Sequence, residues 1–180
     1  GVLHFLKKKG NMKQGFNLIF KSNIPIGAGM SSSAALSCGF GMALNEAFNL
    51  SLKKIHIAEV AQLAEHHFVG VKCGIMDQYA VINGTYNHFL LLNCQTISHE
   101  LVPGNLLNHT IILLNTNISH NLSSSEYNIR TQECQSALKT IQTKYPDYKF
   151  LCDIPIDIIT GFKEILSTEQ YNRAIFTSQE

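Results

Sequence analysis

Charge is what this sequence has least of. Charged side chains make up 15% of its 180 residues, against the usual quarter, while apolar ones make up 45%. That balance excludes intrinsic disorder. A chain of this length buries a substantial core, in one domain or in parts of two. A net charge of +1 leaves no field to gather nucleic acid or an acidic membrane surface. The five cysteines, Cys38, Cys73, Cys94, Cys134 and Cys152, are odd in number and form no C-x-x-C pair. They read as buried free thiols of a reducing cytoplasm, not as a disulfide frame. The histidines have no metal-ligand spacing; His66 and His67 are adjacent and on a helix point about 100° apart.

Targeting and membrane signals are also wanting. Ile24 to Asn45 carries no formal charge and is long enough to cross a bilayer, but its proline, four glycines and several serines argue against a span. At the start, the apolar run Val2 to Leu6 precedes its lysines, the reverse of a secretory signal. Triplets such as Asn83-Gly84-Thr85 then reflect composition. The chain opens on Gly1 in mid-pattern, which reads as a fragment or a processed product.

What is there is concentrated first in Pro25-Ile26-Gly27-Ala28-Gly29-Met30-Ser31-Ser32-Ser33-Ala34. Gly27 and Gly29 permit a tight turn and close ligand approach. Ser31 to Ser33 stand where a helix begins, and a helix start offers unpartnered N–H groups and partial positive charge. A glycine turn feeding such a start is a phosphate cradle. Composition alone favours a plain turn with a serine cap. Three serines after two glycines, with no charge nearby, tilt the reading towards phosphate. Two better-known phosphate loops are excluded. No lysine stands between Lys21 and Lys53, and Ser32 occupies the place of a third fingerprint glycine.

The periodicities predict the following elements. A short helix ends near Lys9, with Leu3 and Leu6 on one side. Phe16 to Asn23 alternates as a strand. Ser31 to Phe48 is apolar almost all round, as a buried helix is. Leu52 to Phe68 is a second helix ended by Gly70. His88 to Asn93 and His109 to Thr116 read as strands, the latter covered on both faces. Pro103-Gly104-Asn105 marks a domain boundary. Ser123-Ser124-Ser125-Glu126 caps a helix to about Lys144, and Pro155 to Phe162 and Thr168 to Ser178 read as helical.

Two carboxylates stand out. Ala58, Ala61, Glu65 and Phe68 share a helix face, so Glu65 lies on the apolar stripe, either buried with a cation or hydrogen bonds or at the rim and reaching water. Asp77 is the only formally charged residue between Lys72 and Glu100, either a capped turn residue or a functional group. A phosphate loop, an oxygen ligand for Mg²⁺ and an acid to take a hydroxyl proton are what phosphoryl transfer needs. Ser33 with Glu65 would suffice for the metal.

The glycine loop resembles the second motif of the GHMP small-molecule kinases, with Met30 in place of the usual leucine. Three further stretches narrow the resemblance to the galactokinases: Ala64-Glu65-His66-His67-Phe68-Val69-Gly70, Cys73-Gly74-Ile75-Met76-Asp77-Gln78, and Asn117 through Ser125-Glu126-Tyr127-Asn128 to Arg130. The resemblance implies an α+β, two-lobed GHMP kinase fold. Residues 1–102 would be most of the N-terminal nucleotide-binding lobe, and residues 103–180 the start of the C-terminal lobe. It implies that Gly27, Ala28, Gly29, Met30, Ser31, Ser32 and Ser33 hold the phosphates of ATP, and that Ser33 and Glu65 coordinate Mg²⁺. Asp77 would be the base towards the 1-hydroxyl of galactose, and Gly74 and Tyr127 would touch the sugar. A basic residue is usual where Ser119 stands, and a second arginine where Thr131 stands. The family's upstream Arg-x-Asn-Leu-x-Gly-Glu-His stretch and its late glycine-rich motif are not in the sequence, so the resemblance is to a central portion. A non-catalytic, galactokinase-like sugar sensor and an N-acetylgalactosamine kinase are the alternatives. The intact Ser31 to Ala35 stretch favours an enzyme, with small-molecule substrates, in the cytoplasm.

Overall fold

The computed structural model describes residues 1–10, 12, 14–115 and 126–180. The chain falls into two compact units, Gly1–Ser123 and Ser124–Glu180.

The first unit is built on helices α1 (Val2–Lys7), α2 (Ser32–Ala47), α3 (Lys54–Ala64) and α4 (Met76–Asn83). Val2 and Leu6 of α1 are buried with Leu44 of α2 and with Val60 and Ala64 of α3. A Cβ built on Gly41 would lie 2.7 Å from Ile57 Cγ2, so α2 and α3 meet at nearly backbone distance. The buried stripe of α2 is Ala34, Cys38, Gly41 and Leu44, spaced four, three and three. The all-round burial expected for this helix is not realised. Its packing partners α1, α3 and α4 meet that stripe, while Leu36 and Met42 on other faces are exposed.

Helix α3 does not run on to Phe68 as an α-helix. After Ala64 it widens into a π-helical turn, Glu65–Val69, closed by Gly70 at φ 84°. Ala58, Ala61 and Glu65 share the buried face as the spacing predicts, but Phe68 is 58% exposed. The wider turn rotates every residue after Glu65 away from the α-helical register.

The strand expected over Phe16 to Asn23 is not found. Phe16 and Phe20 lay their rings against Phe40 of α2 but remain exposed, at 40% and 55%, and Ile19 faces out. A strand also needs a ladder partner, and among the described residues the one sheet is an antiparallel hairpin of β1 (His88–Asn93) and β2 (Ser98–Pro103). Strand β1 falls where the sequence places it. The Asn93 side-chain oxygen accepts from the N–H groups of Gln95 and Thr96, turning the chain into β2. The strand expected over His109 to Thr116 is likewise absent through Asn115: Ile111 to Leu114 are irregular and largely exposed. An unbroken apolar run reports a tendency to be buried and carries no pairing information.

The second unit packs α5 (Glu126–Gln142), a 3₁₀ turn (Leu151–Asp153), α6 (Ile156–Thr160) and α7 (Thr168–Gln179). Its core includes Ala137, Ile141, Ile154, Ile159 and Ala174. The serines expected to cap α5 lie outside the described residues. Helix α7 begins with a capping box, in which Ser167 Oγ accepts from the Gln170 N–H and the Gln170 side chain accepts from the Ser167 N–H. Arg173 Nε donates to Glu133 Oε2 at 3.1 Å, tying α7 to α5. Helices with a small sheet match the α+β class expected from the sequence.

Candidate functional site

The glycine loop enters α2 through three left-handed residues at every second position: Gly27 at φ 74°, Gly29 at φ 74° and Ser31 at φ 47°. Glycine adopts this region freely, whereas Ser31 is strained there by roughly 1–2 kcal/mol. A Cβ on Gly27 or Gly29 would meet nothing within 4 Å, so their identity follows from φ, and the space beside them is open. Ser31 is the N-cap residue, yet its hydroxyl makes no capping bond. Ser32 and Ser33 form the first turn of α2, and the Ser33 carbonyl accepts from Ser37 Oγ. Ala28, Ser31 and Ser32 are half-buried, and Met30 is exposed. Strained backbone leading into a helix start, with Gly27, Gly29, Met30 and Ser33 exposed, suits a bound anion.

Glu65 is 6% exposed, which settles the choice between a buried stripe and the rim. Asp77 is half-buried in the first turn of α4, and that helix was not anticipated from the sequence. Cys73 and Cys38 bring the two carboxylates and α2 together. Burial pushes the Cys38 thiol up to about 12, with the negative charge of Glu65 adding to it. The Cys73 thiol is also raised, first by burial. The Gln78 amide opposes this, and the charges of Glu65 and Asp77 reinforce it. Both carboxylates thus act on one thiol, and Glu65 acts on both thiols. Cys38 sits five residues beyond Ser33, about 7.5 Å along α2.

The turn between the carboxylates is gripped from two sides. The Cys73 carbonyl accepts from Gln62 Nε2 at 3.1 Å and lies 2.8 Å from His66 Nε2, which donates in the matching tautomer. On the other side, Gln78 Nε2 donates to Cys73 Sγ at 3.7 Å, and Cys38 Sγ donates to the Gln78 carbonyl at 3.6 Å. Gly74 is exposed, and a Cβ there would meet nothing within 4 Å. Tyr127 belongs to the second unit, in the first turn of α5, and is 44% exposed.

Of the residues singled out in the sequence, Glu65 is buried, Asp77 is half-buried and the loop is left-handed at Gly27, Gly29 and Ser31. Not anticipated are the bonds that Gln62, His66 and Gln78 make to Cys73, in the turn between the two carboxylates. For Gln78 the signal was its place beside Asp77; for the others, side chain to backbone bonds leave no pattern in the sequence.

The thiol shift has a testable consequence. A thiol whose folded-state pKa is raised favours folding below its ordinary value, and that contribution is lost as pH climbs from about 9 towards about 12. At pH 8 native Cys38 resists alkylation, whereas exposed Cys94 and Cys152 are labelled. Peptide mass spectrometry after a timed iodoacetamide pulse checks this. Labelling of Cys38 at the rate of Cys152 contradicts it.

Residues 1–85 match the GHMP kinases N terminal domain. The chain is 45% identical over 141 residues to the galactokinase of Thermosipho africanus, covering 78% of this chain and 40% of that protein. It is 37% identical over 184 residues to the galactokinase of Limosilactobacillus fermentum, covering 99% of this chain and 47% of the relative. The chain therefore spans under half the length of these relatives. Among solved structures, Lactococcus lactis galactokinase complexed with galactose superposes with a TM-score of 0.88 at 30% identity, over 98% of this chain and 45% of that one.

Proposed function

We propose, from the premise that this chain belongs to the GHMP kinase family, that the protein is a galactokinase. It transfers the γ-phosphoryl group of ATP to the 1-hydroxyl of galactose. The observation that carries the reading is the hydrogen-bonded turn at Cys73, tied to His66 beside Glu65 and to Gln78 beside Asp77, with Gln78 bonded in turn to the helix that the strained glycine loop enters.

Each residue then has a task. Gly27 to Ser33 hold the ATP phosphates through backbone N–H groups and the positive end of α2. Asp77 accepts the proton of the 1-hydroxyl as its oxygen bonds to the γ-phosphorus and the bond to ADP breaks. By resemblance Gly74 touches the sugar, its open Cβ side leaving room for a ligand. Tyr127, in the second unit, is given a sugar contact by the same resemblance alone.

The residues present fit Mg²⁺. The ion takes hard oxygen ligands and keeps several waters, so the buried Glu65 carboxylate and the Ser33 hydroxyl are a sufficient protein share. When bound, the ion neutralises charge on the phosphates. Among the described residues no group of three or more His, Cys, Asp or Glu could hold a metal.

Residues 1–102 are most of the nucleotide-binding lobe in this reading, and residues 103–180 begin the C-terminal lobe. The protein works on small molecules in the cytoplasm. No described helix is long and apolar enough to cross a membrane, and the five cysteines are free.

The test is ADP release by the full-length protein with MgATP and, separately, galactose, N-acetylgalactosamine, homoserine and mevalonate. Galactose gives the highest kcat/KM. Turnover of homoserine or mevalonate in its place refutes the substrate. Galactose binding with no ADP release points to a sensor.

A further inference from the structure

Gln78 is 2% exposed and sits one residue beyond Asp77, in the first turn of α4. Its backbone is fixed from α2, because its carbonyl accepts from Cys38 Sγ. Its carboxamide Nε2 donates to Cys73 Sγ, while Gln62 and His66 hold the carbonyl of the same Cys73. The carboxamide oxygen is buried and has no hydrogen-bond partner. For stability alone this is a poor choice of side chain. A methionine of similar length would fill the space without stranding an acceptor. What an apolar side chain cannot do is donate to Cys73.

We infer that Gln78 is a positioning residue. It holds the Cys73-Gly74 turn against the start of α4 and so fixes the carboxylate of Asp77. The inference rests on the reading of Asp77 as the base. Cys73 is the hub because three helical segments meet on it, its carbonyl held from α3 and the π-helical turn and its thiol held from α4. Loosening one hold leaves the helix standing but lets the turn, and Asp77 with it, shift. A displacement of the order of an ångström costs about a hundredfold in rate.

The experiment compares full-length wild type with Gln78→Met, Cys73→Ala and the double variant. Gln78→Met is expected to melt at or above the wild-type temperature while kcat falls roughly 10- to 100-fold and the equilibrium Kd for ATP stays put. Deuterium uptake over Gly74 to Met76 rises. The double variant loses no more kcat than the worse single variant, since both changes break one contact. A lower melting temperature with wild-type kcat per folded molecule overturns the inference and leaves Gln78 a packing residue. Wild-type turnover is measured alongside. Its absence counts against the proposed function, whereas melting temperature and deuterium uptake decide the role of Gln78 without any turnover.

Discussion

Asp77→Asn in the full-length protein cuts turnover roughly 10²–10⁴-fold at saturating galactose and ATP, the range a positioned base contributes. Asparagine keeps the shape of the side chain and loses the proton acceptor. The residue is half-buried in the first turn of α4, away from the glycine loop in sequence, so ATP affinity changes little. Its charge also bears on the Cys73 thiol. Removing it lets that thiol ionise at lower pH, so labelling of Cys73 at fixed pH speeds up in the variant. Steady-state kinetics with timed alkylation measures both effects. Near-wild-type turnover leaves Asp77 a turn residue.

Glu65→Gln is the second large effect. The variant is nearly isosteric, so the helix face of Ala58 and Ala61 and the π-helical turn that Glu65 opens are kept. What is lost is the charge with which Glu65, in the proposed reading, would hold Mg²⁺. The Mg²⁺ concentration for half-maximal activity rises by at least about tenfold, while the melting temperature holds or rises because a buried charge has gone. The Cys38 thiol, raised in part by that charge, falls from about 12. A variant that unfolds, and that shows unchanged metal dependence in whatever remains folded, makes Glu65 a structural residue.

Local patterns were legible in the sequence, and partnerships were not. The glycine loop was readable because a left-handed backbone demands glycine at Gly27 and Gly29, and because serines mark a helix start. Glu65 was readable to the point where a three-four spacing placed it on the buried face. The same spacing failed for Phe68, three residues on, because no residue type announces a π-helical turn. The alternation of Phe16 to Phe20 reports only ring contacts with Phe40, since both phenylalanines stay exposed. Whether that segment is a strand depends on a neighbour, which alternation cannot supply. Strand β2 went unread because His99 and Glu100 dilute its pattern; it exists by pairing with β1. The network around Cys73 was invisible for a related reason. A glutamine donating to a thiol and a histidine donating to a carbonyl are contacts made by tertiary structure. The roles of Glu65, Asp77 and Tyr127 came from the resemblance to galactokinases. The structure adds a common neighbourhood for the first two.

The most direct test is the position of the new phosphate. The full-length protein is incubated with galactose and MgATP, and the product is examined by ³¹P–¹H correlation NMR. Coupling of the product phosphorus to the anomeric proton of galactose is the expected result. Correlation to the C6 protons instead, or ADP formed with no sugar phosphate, contradicts phosphoryl transfer to the 1-hydroxyl.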